Sequence, residues 1–143
     1  MVNQFNTLPC PSRYNEIYDS TKKFRNLDPK LIFTFGSNLA GRHGKGAAQT
    51  ALFHYGAKYG VGIGLVRRSY AIPTKDENLN VLKIEVIKKY VDDFVKESQK
   101  EEQYFFVTAV GCGLAGYPPN EIAPLFHGVR NCWLPDCFLP YVL

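Results

Sequence analysis

The chain has 143 residues, 45% of them apolar and 21% charged, enough for one domain that buries roughly two-thirds of its unfolded surface without staples. A formal charge of +4 favours anionic ligands mildly, but Lys22, Lys23, Lys30, Arg67, Arg68, Lys88 and Lys89 come in scattered pairs, which does not by itself mark a nucleic-acid binder. No apolar run is long enough to span a membrane and the first residues lack a signal layout, so a cytoplasmic protein is expected. Cys10, Cys112, Cys132 and Cys137 form no CxxC pair, and His43, His54 and His127 are dispersed, which predicts reduced cysteines and neither a metal site nor a disulfide framework.

In chain order, residues 1–30 hold Pro9, Pro11 and Pro29 among polar clusters. They read as an irregular arm packed on the domain, with a helical turn near residues 14–18, ahead of an α/β domain over 31–143. The apolar run 31–35 predicts a buried strand. Gly36, Gly41, Gly44 and Gly46 follow, with no acidic residue before a helix predicted at 47–58, whose Ala47, Ala48, Ala51, Leu52 and Tyr55 share one face. This order suits a phosphate: glycines let backbone N–H groups approach an anion, and a helix start adds unpaired donors and a positive dipole end. Neither a GxxxxGK[ST] nor a GxGxxG pattern is present, and the plain alternative is a glycine-rich turn.

Residues 60–65, GVGIGL, read as a loop or hairpin edge, and 69–72 as a short strand ended by Pro73, with Thr74, Lys75 and Asp76 at its exit. Ligands of open α/β sheets collect outside the carboxyl ends of the strands, which puts Lys75 where chemistry would occur; the alternatives are a surface lysine or an ion pair with Asp76 or Glu77. Asp76 or Asn78 is a candidate cap for a helix over 82–98 with an apolar stripe of Ile84, Ile87, Val91, Phe94 and Val95. The run 104–110, YFFVTAV, predicts a central strand covered on both faces and leads into a second small-residue loop, 111–117. Asn120 is expected to cap a helix at 121–127, and 132–143, with Trp133, to supply a last short strand. The two glycine loops should face each other across one crevice and wrap a diphosphate.

These segments resemble a known family. Asn38 followed by Gly44, Lys45, Gly46, Ala47 and Ala48 is similar to the first ligand loop of macrodomains. Gly111, Cys112, Gly113, Leu114, Ala115, Gly116 and Tyr117 resemble the second, which in that superfamily closes over the diphosphate and distal ribose of ADP-ribose. Pro73, Thr74 and Lys75 match the PTK segment of the branch holding terminal ADP-ribose glycohydrolases and antitoxin macrodomains that remove ADP-ribose from DNA bases. The likeness covers residues 31–127 and is greatest to small phage-encoded macro-like proteins.

The resemblance implies a three-layer α/β/α sandwich with a mixed central sheet, binding ADP-ribose or an ADP-ribosylated protein or nucleic acid, without a cofactor or membrane and, if viral, in the host cytoplasm. It implies Lys75 as nucleophile at the anomeric carbon, a role that needs a neutral amine, which a positive field from Lys45 or a helix start favours. Asp76 and Glu77 either point away from the amine or serve in proton transfer, with Asp76 the catalytic candidate; Asn38 becomes the ribose contact, Gly36, Ser37 and Thr74 the ligand's neighbours, and Tyr117 or Phe138 a stacking partner for adenine. The adenine-binding Asp of many macrodomains has only Asp28 as a counterpart. Two alternatives stand beside the hydrolase: a non-catalytic module for ADP-ribose or a related nucleotide signal, as in a phage counter-defence protein, and a nucleic-acid-associated hydrolase with a basic patch beside its cleft. A nucleophilic Cys112 has no histidine placed by the sequence to activate it.

Overall fold

A computed structural model describes residues 8–21 and 30–142. Residues 1–7, 22–29 and 143 lie outside the described residues, and with them Asp28 and much of the expected arm. Six strands are described, β1 (Glu16–Tyr18), β2 (Leu31–Asn38), β3 (Gly64–Val66), β4 (Ser69–Lys75), β5 (Tyr104–Val107) and β6 (Cys132–Pro135). Four helices accompany them, α1 (Gly46–His54), α2 (Ile84–Ser98), α3 (Pro119–Ile122) and α4 (Leu139–Val142), with 3-10 turns at Ala123–Phe126 and Asp136–Phe138.

The strands form one mixed sheet in the order β1-β6-β5-β2-β4-β3, parallel throughout except for the antiparallel β3–β4 hairpin at one edge. Successive strand side chains point to opposite faces, and both faces are apolar. Ile32, Tyr70, Ile72, Phe105, Val107, Cys132 and Leu134 pack with Ile87, Val91 and Phe94 of α2 and with Ile122 and Phe126. Leu31, Phe33, Phe35, Ala71, Phe106 and Trp133 pack with Tyr18 and with Ala48, Ala51 and Tyr55 of the α1 segment. A six-stranded mixed sheet with helices is therefore the architecture, as an α/β class requires.

Several local expectations change. Residues 14–18 are not a helical turn: Glu16–Tyr18 is an edge strand, held by the Asn15 side chain, which donates to Val129 O (2.8 Å) and accepts the Cys132 N–H (3.2 Å). The short strand does not stop at Pro73 but runs on to Lys75. Since β3 accompanies β4 only over residues 69–71, the missing proline N–H breaks no ladder bond on that flank. β5 ends at Val107, where β6 no longer pairs with it. Helix α3 starts at Pro119 behind Pro118 rather than at an Asn120 cap, because proline suits the first helical turn. Helix α2 begins without a side-chain cap, and Asp76 serves a different turn.

Candidate functional site

β2, β4 and β5 are neighbours and parallel, so the loops after them leave from the same end of the sheet. A cavity of about 700 Å³ opens there. Its wall takes Gly36, Ser37 and Asn38 from the end of β2, Gly44 to Ala48 from the following loop and α1, and Thr74 and Lys75 from β4. Thr108 to Ala115 close it from the β5 side. Both predicted loops thus meet at one cavity.

Its amide donors are free. The first α1 N–H with a backbone acceptor is that of Gln49, to Lys45 O (3.2 Å), and Lys45 gives no side-chain cap. Among the described residues the N–H groups of Gly46, Ala47 and Ala48 thus have no partner, and α1 carries no acidic residue in its first turn. In the second loop Cys112, Gly116 and Tyr117 donate internally, to Ala109 O, Gly113 O and Gly111 O, which turns the chain and leaves the amides of Gly113, Leu114 and Ala115 without a described acceptor. A Cβ on Gly44, Gly46 or Gly113 would meet no protein atom within 4 Å. None of the three serves tight internal packing, and Gly46 also has left-handed backbone (φ 59°).

The first loop is fastened from beneath. Asn38 Nδ2 donates to Arg42 O and its Oδ1 accepts the Arg42 N–H, both at 2.9 Å, so the side chain expected on ribose also builds the loop. One amide hydrogen and one lone pair remain for a ligand. Buried His43 sets Nε2 3.0 Å from both Lys58 O and Val61 O, and Ser37 Oγ donates to Gly62 O. Thr74 Oγ1 donates to Ser37 O (3.3 Å), so Ser37 and Thr74, each 4% exposed, hold backbone with their hydroxyls.

Half-buried Lys75 lines the cavity opposite Asn38, its pairing partner across a register shift in β2. No ion pair joins it to Asp76 or Glu77 among the described residues. Asp76 does not line the cavity: its Oδ1 accepts the N–H groups of Asn78 (2.8 Å) and Asn80 (2.9 Å) and so shapes the turn that presents Leu79 to the cavity. Gly116 and Tyr117 also lie off the wall; Tyr117 donates its hydroxyl to Leu82 O (2.6 Å) and packs against the α2-side core. Phe138 is fully buried in that core and does not line the cavity.

Cys112 lines the cavity, but burial first, and Cys137 second, push its thiol up to about 11, so it stays protonated at neutral pH and is a poor nucleophile. Among the described residues no group of three or more His, Cys, Asp or Glu side chains could hold a metal ion.

Sequence reasoning missed Arg42, Tyr59, Leu79 and the segment Thr108 to Val110. Arg42 had a signal, a cation inside an acid-free glycine loop, whereas Tyr59 and Leu79 reach the mouth only because the turns bearing them fold back. The described wall therefore carries three cations, Arg42, Lys45 and Lys75, and no carboxylate. Comparison with protein-family models, curated proteins and solved structures found no match to this chain.

Proposed function

We propose that this cavity binds ADP-ribose, that the chain is a three-layer α/β/α protein of macrodomain type, and that Lys75 releases ADP-ribose from a modified macromolecule. One observation carries the reading: two sets of unpartnered backbone amides, at Gly46 to Ala48 and at Gly113 to Ala115, line one cavity with Lys75 and without a described carboxylate. Amides so placed hold a diphosphate from both sides, and the adjoining helix start adds its positive end. Apolar clusters on both sheet faces support the layered arrangement.

In the reaction the Lys75 amine forms a C–N bond to the anomeric carbon as the bond to the modified group breaks with its electron pair. The leaving atom takes a proton, and water then cleaves the C–N bond, freeing ADP-ribose and restoring the amine. Asp76 is tied into its turn and is not the acid of this scheme, which leaves solvent or the leaving group itself to carry the proton. That same lack of a placed acid favours a second reading, a non-catalytic receptor for ADP-ribose or a related nucleotide signal.

Titration calorimetry with ADP-ribose, together with release assays on ADP-ribosylated DNA and ADP-ribosylated protein, separates the two. The hydrolase predicts binding by wild type and by Lys75→Ala, with release lost only in the variant. Binding with no release from either substrate leaves the receptor, and no binding removes the assignment.

A further inference from the structure

Uncovered apolar side chains flank the part of the cavity that holds Asn38 and Lys75. These two residues are partners across the β2–β4 pair, and the Leu39 N–H donates to Lys75 O (3.0 Å), so both strand exits share one place on the wall. The turn that follows Lys75 sets Leu79 on the wall, 44% exposed. Leu79 has left-handed backbone (φ 65°), which its Cβ disfavours, and the turn holds it there through Asp76, whose carboxylate accepts the N–H groups of Asn78 and Asn80. A strained leucine left half in solvent gains little from packing where it stands. The loop after α1 supplies a second such residue. Gly60 donates its N–H to Gly41 O and Gly41 its own to Asn38 O, both at 2.9 Å, which ties that loop to the end of β2 and brings Tyr59 to the wall, 60% exposed and edge-on to the His43 ring at 6.4 Å.

The same wall carries Arg42, Lys45 and Lys75 and no carboxylate among the described residues, while Asp76 is held by its own turn. A nucleophilic Lys75 so placed suits a leaving group that departs without taking a proton. A pyridinium nitrogen does this: it leaves the anomeric carbon with the bonding pair, as a neutral ring that is flat and largely apolar. Loss of its charge relieves repulsion from the three cations while the diphosphate stays on the amides. A carboxylate also departs without a proton, but it offers nothing for Tyr59 and Leu79 to cover.

We propose a further activity for this site, hydrolysis of a free dinucleotide whose distal ribose carries an N-linked pyridinium, as in NAD, with Tyr59 and Leu79 holding the departing ring. The inference rests on the ADP-ribose reading for the rest of the ligand. The Lys75 amine forms a C–N bond to the anomeric carbon as the bond to the pyridinium nitrogen breaks, its electron pair staying on nicotinamide. The amine gives a proton to solvent, and water then cleaves the new bond, freeing ADP-ribose and restoring Lys75. Each NAD consumes one water and releases one proton.

The test incubates the full chain with NAD and with NADH, whose uncharged dihydropyridine ring cannot leave in this way, and measures nicotinamide and ADP-ribose by chromatography. Both products should appear in equal amounts from NAD, with none from NADH, and at about a hundredfold lower rate or less in Lys75→Ala. By calorimetry NADH should bind about fivefold or more tightly than ADP-ribose, since its ring reaches Tyr59 and Leu79 without a positive charge. Tyr59→Ala and Leu79→Asn should remove that advantage and Tyr59→Phe should keep it. Asparagine tolerates left-handed backbone, so Leu79→Asn should not lower the melting temperature, which separates a lost ring contact from a damaged fold. Intact NAD in the presence of protein that binds ADP-ribose overturns this proposal alone. Cleavage that persists in Lys75→Ala, or variants that weaken NADH and ADP-ribose equally, overturns it too, and failure to bind ADP-ribose overturns the reading beneath it.

Discussion

Two glycine-to-alanine substitutions a short distance apart should have opposite effects. A Cβ on Gly62 falls 1.9 Å from Asn38 O and 3.0 Å from the same carbonyl carbon. Non-bonded heavy atoms settle at about 3.5–4.0 Å, so in Gly62→Ala two backbone segments must part by more than about 1 Å. Over-packing costs about 1–3 kcal/mol, and a contact with backbone that cannot rotate away puts this case near ~3 kcal/mol. At about 3 °C per kcal/mol for a chain of this size, the melting temperature should fall by about 10 °C. The displaced Asn38 takes the Arg42 loop with it, so ADP-ribose binding should fail too. Gly44→Ala meets no atom within 4 Å and needs no left-handed backbone. It should stabilise by about 0.4–1 kcal/mol through the unfolded chain, yet reduce ADP-ribose affinity at least tenfold, because its methyl stands beside the amide donors. Thermal melts with and without ADP-ribose, plus calorimetry, read both effects. A Gly62→Ala protein melting within 2 °C of wild type, or a Gly44→Ala protein with wild-type affinity, would refute the reasoning at the respective site.

The remaining predictions test the core, the displaced aromatic and the buried titrating groups. Phe94→Ala removes a ring set edge-on against Tyr70 (5.0 Å) and Phe105 (5.1 Å) and should cost about 3–5 kcal/mol in urea unfolding. Tyr117→Phe deletes the bond to Leu82 O, costs about 1 kcal/mol and leaves ADP-ribose affinity unchanged; a tenfold loss by calorimetry would return Tyr117 to the ligand. Burial raises Cys112 from 9.0 to about 11 and Tyr70 from 10.0 to about 12, and raises Tyr18 and Cys132 as well. Above about pH 9 the folded state then holds protons that the unfolded chain releases, so stability falls with rising pH from there through the folded values. Melting temperatures from pH 8 to 11 should decline, and a flat profile would contradict the assignment.

What was legible in the sequence was local. β2 announced itself because both of its faces are buried, which leaves a continuous apolar run, and the α2 stripe is an ordinary 3.6-residue pattern. The glycine loops were legible because their backbone asks for residues without side chains, in left-handed conformation at Gly41, Gly46, Gly111 and Gly116 and beside open space at Gly44 and Gly113. β1 was not, since its register comes from β6 at the other end of the chain and nothing in Glu-Ile-Tyr states it. Asp76 looked free to cap a helix or move a proton; only the turn geometry shows its carboxylate taken by two backbone amides. Tyr117 and Phe138 carry the composition of a base-stacking site, but Phe138 is buried in the core and Tyr117 packs against it, away from the cavity wall. Asn38 was found correctly as a cavity residue, yet its amide also closes the Arg42 loop. An alanine there confounds a lost ligand contact with a collapsed loop.

The meeting of β1 with β6 has a consequence for how the chain comes to be folded. Asn15 accepts from Cys132 across 117 residues, and the short edge strand beside it completes the sheet flank over Trp133. A ribosome delivers the first partner long before the second, and contacts between residues so far apart in the chain are slow to form. Until then β6 presents an open, apolar flank to any neighbouring strand. Trimming the polar start of the chain at residue 20 to obtain a tidier domain would make that temporary exposure permanent.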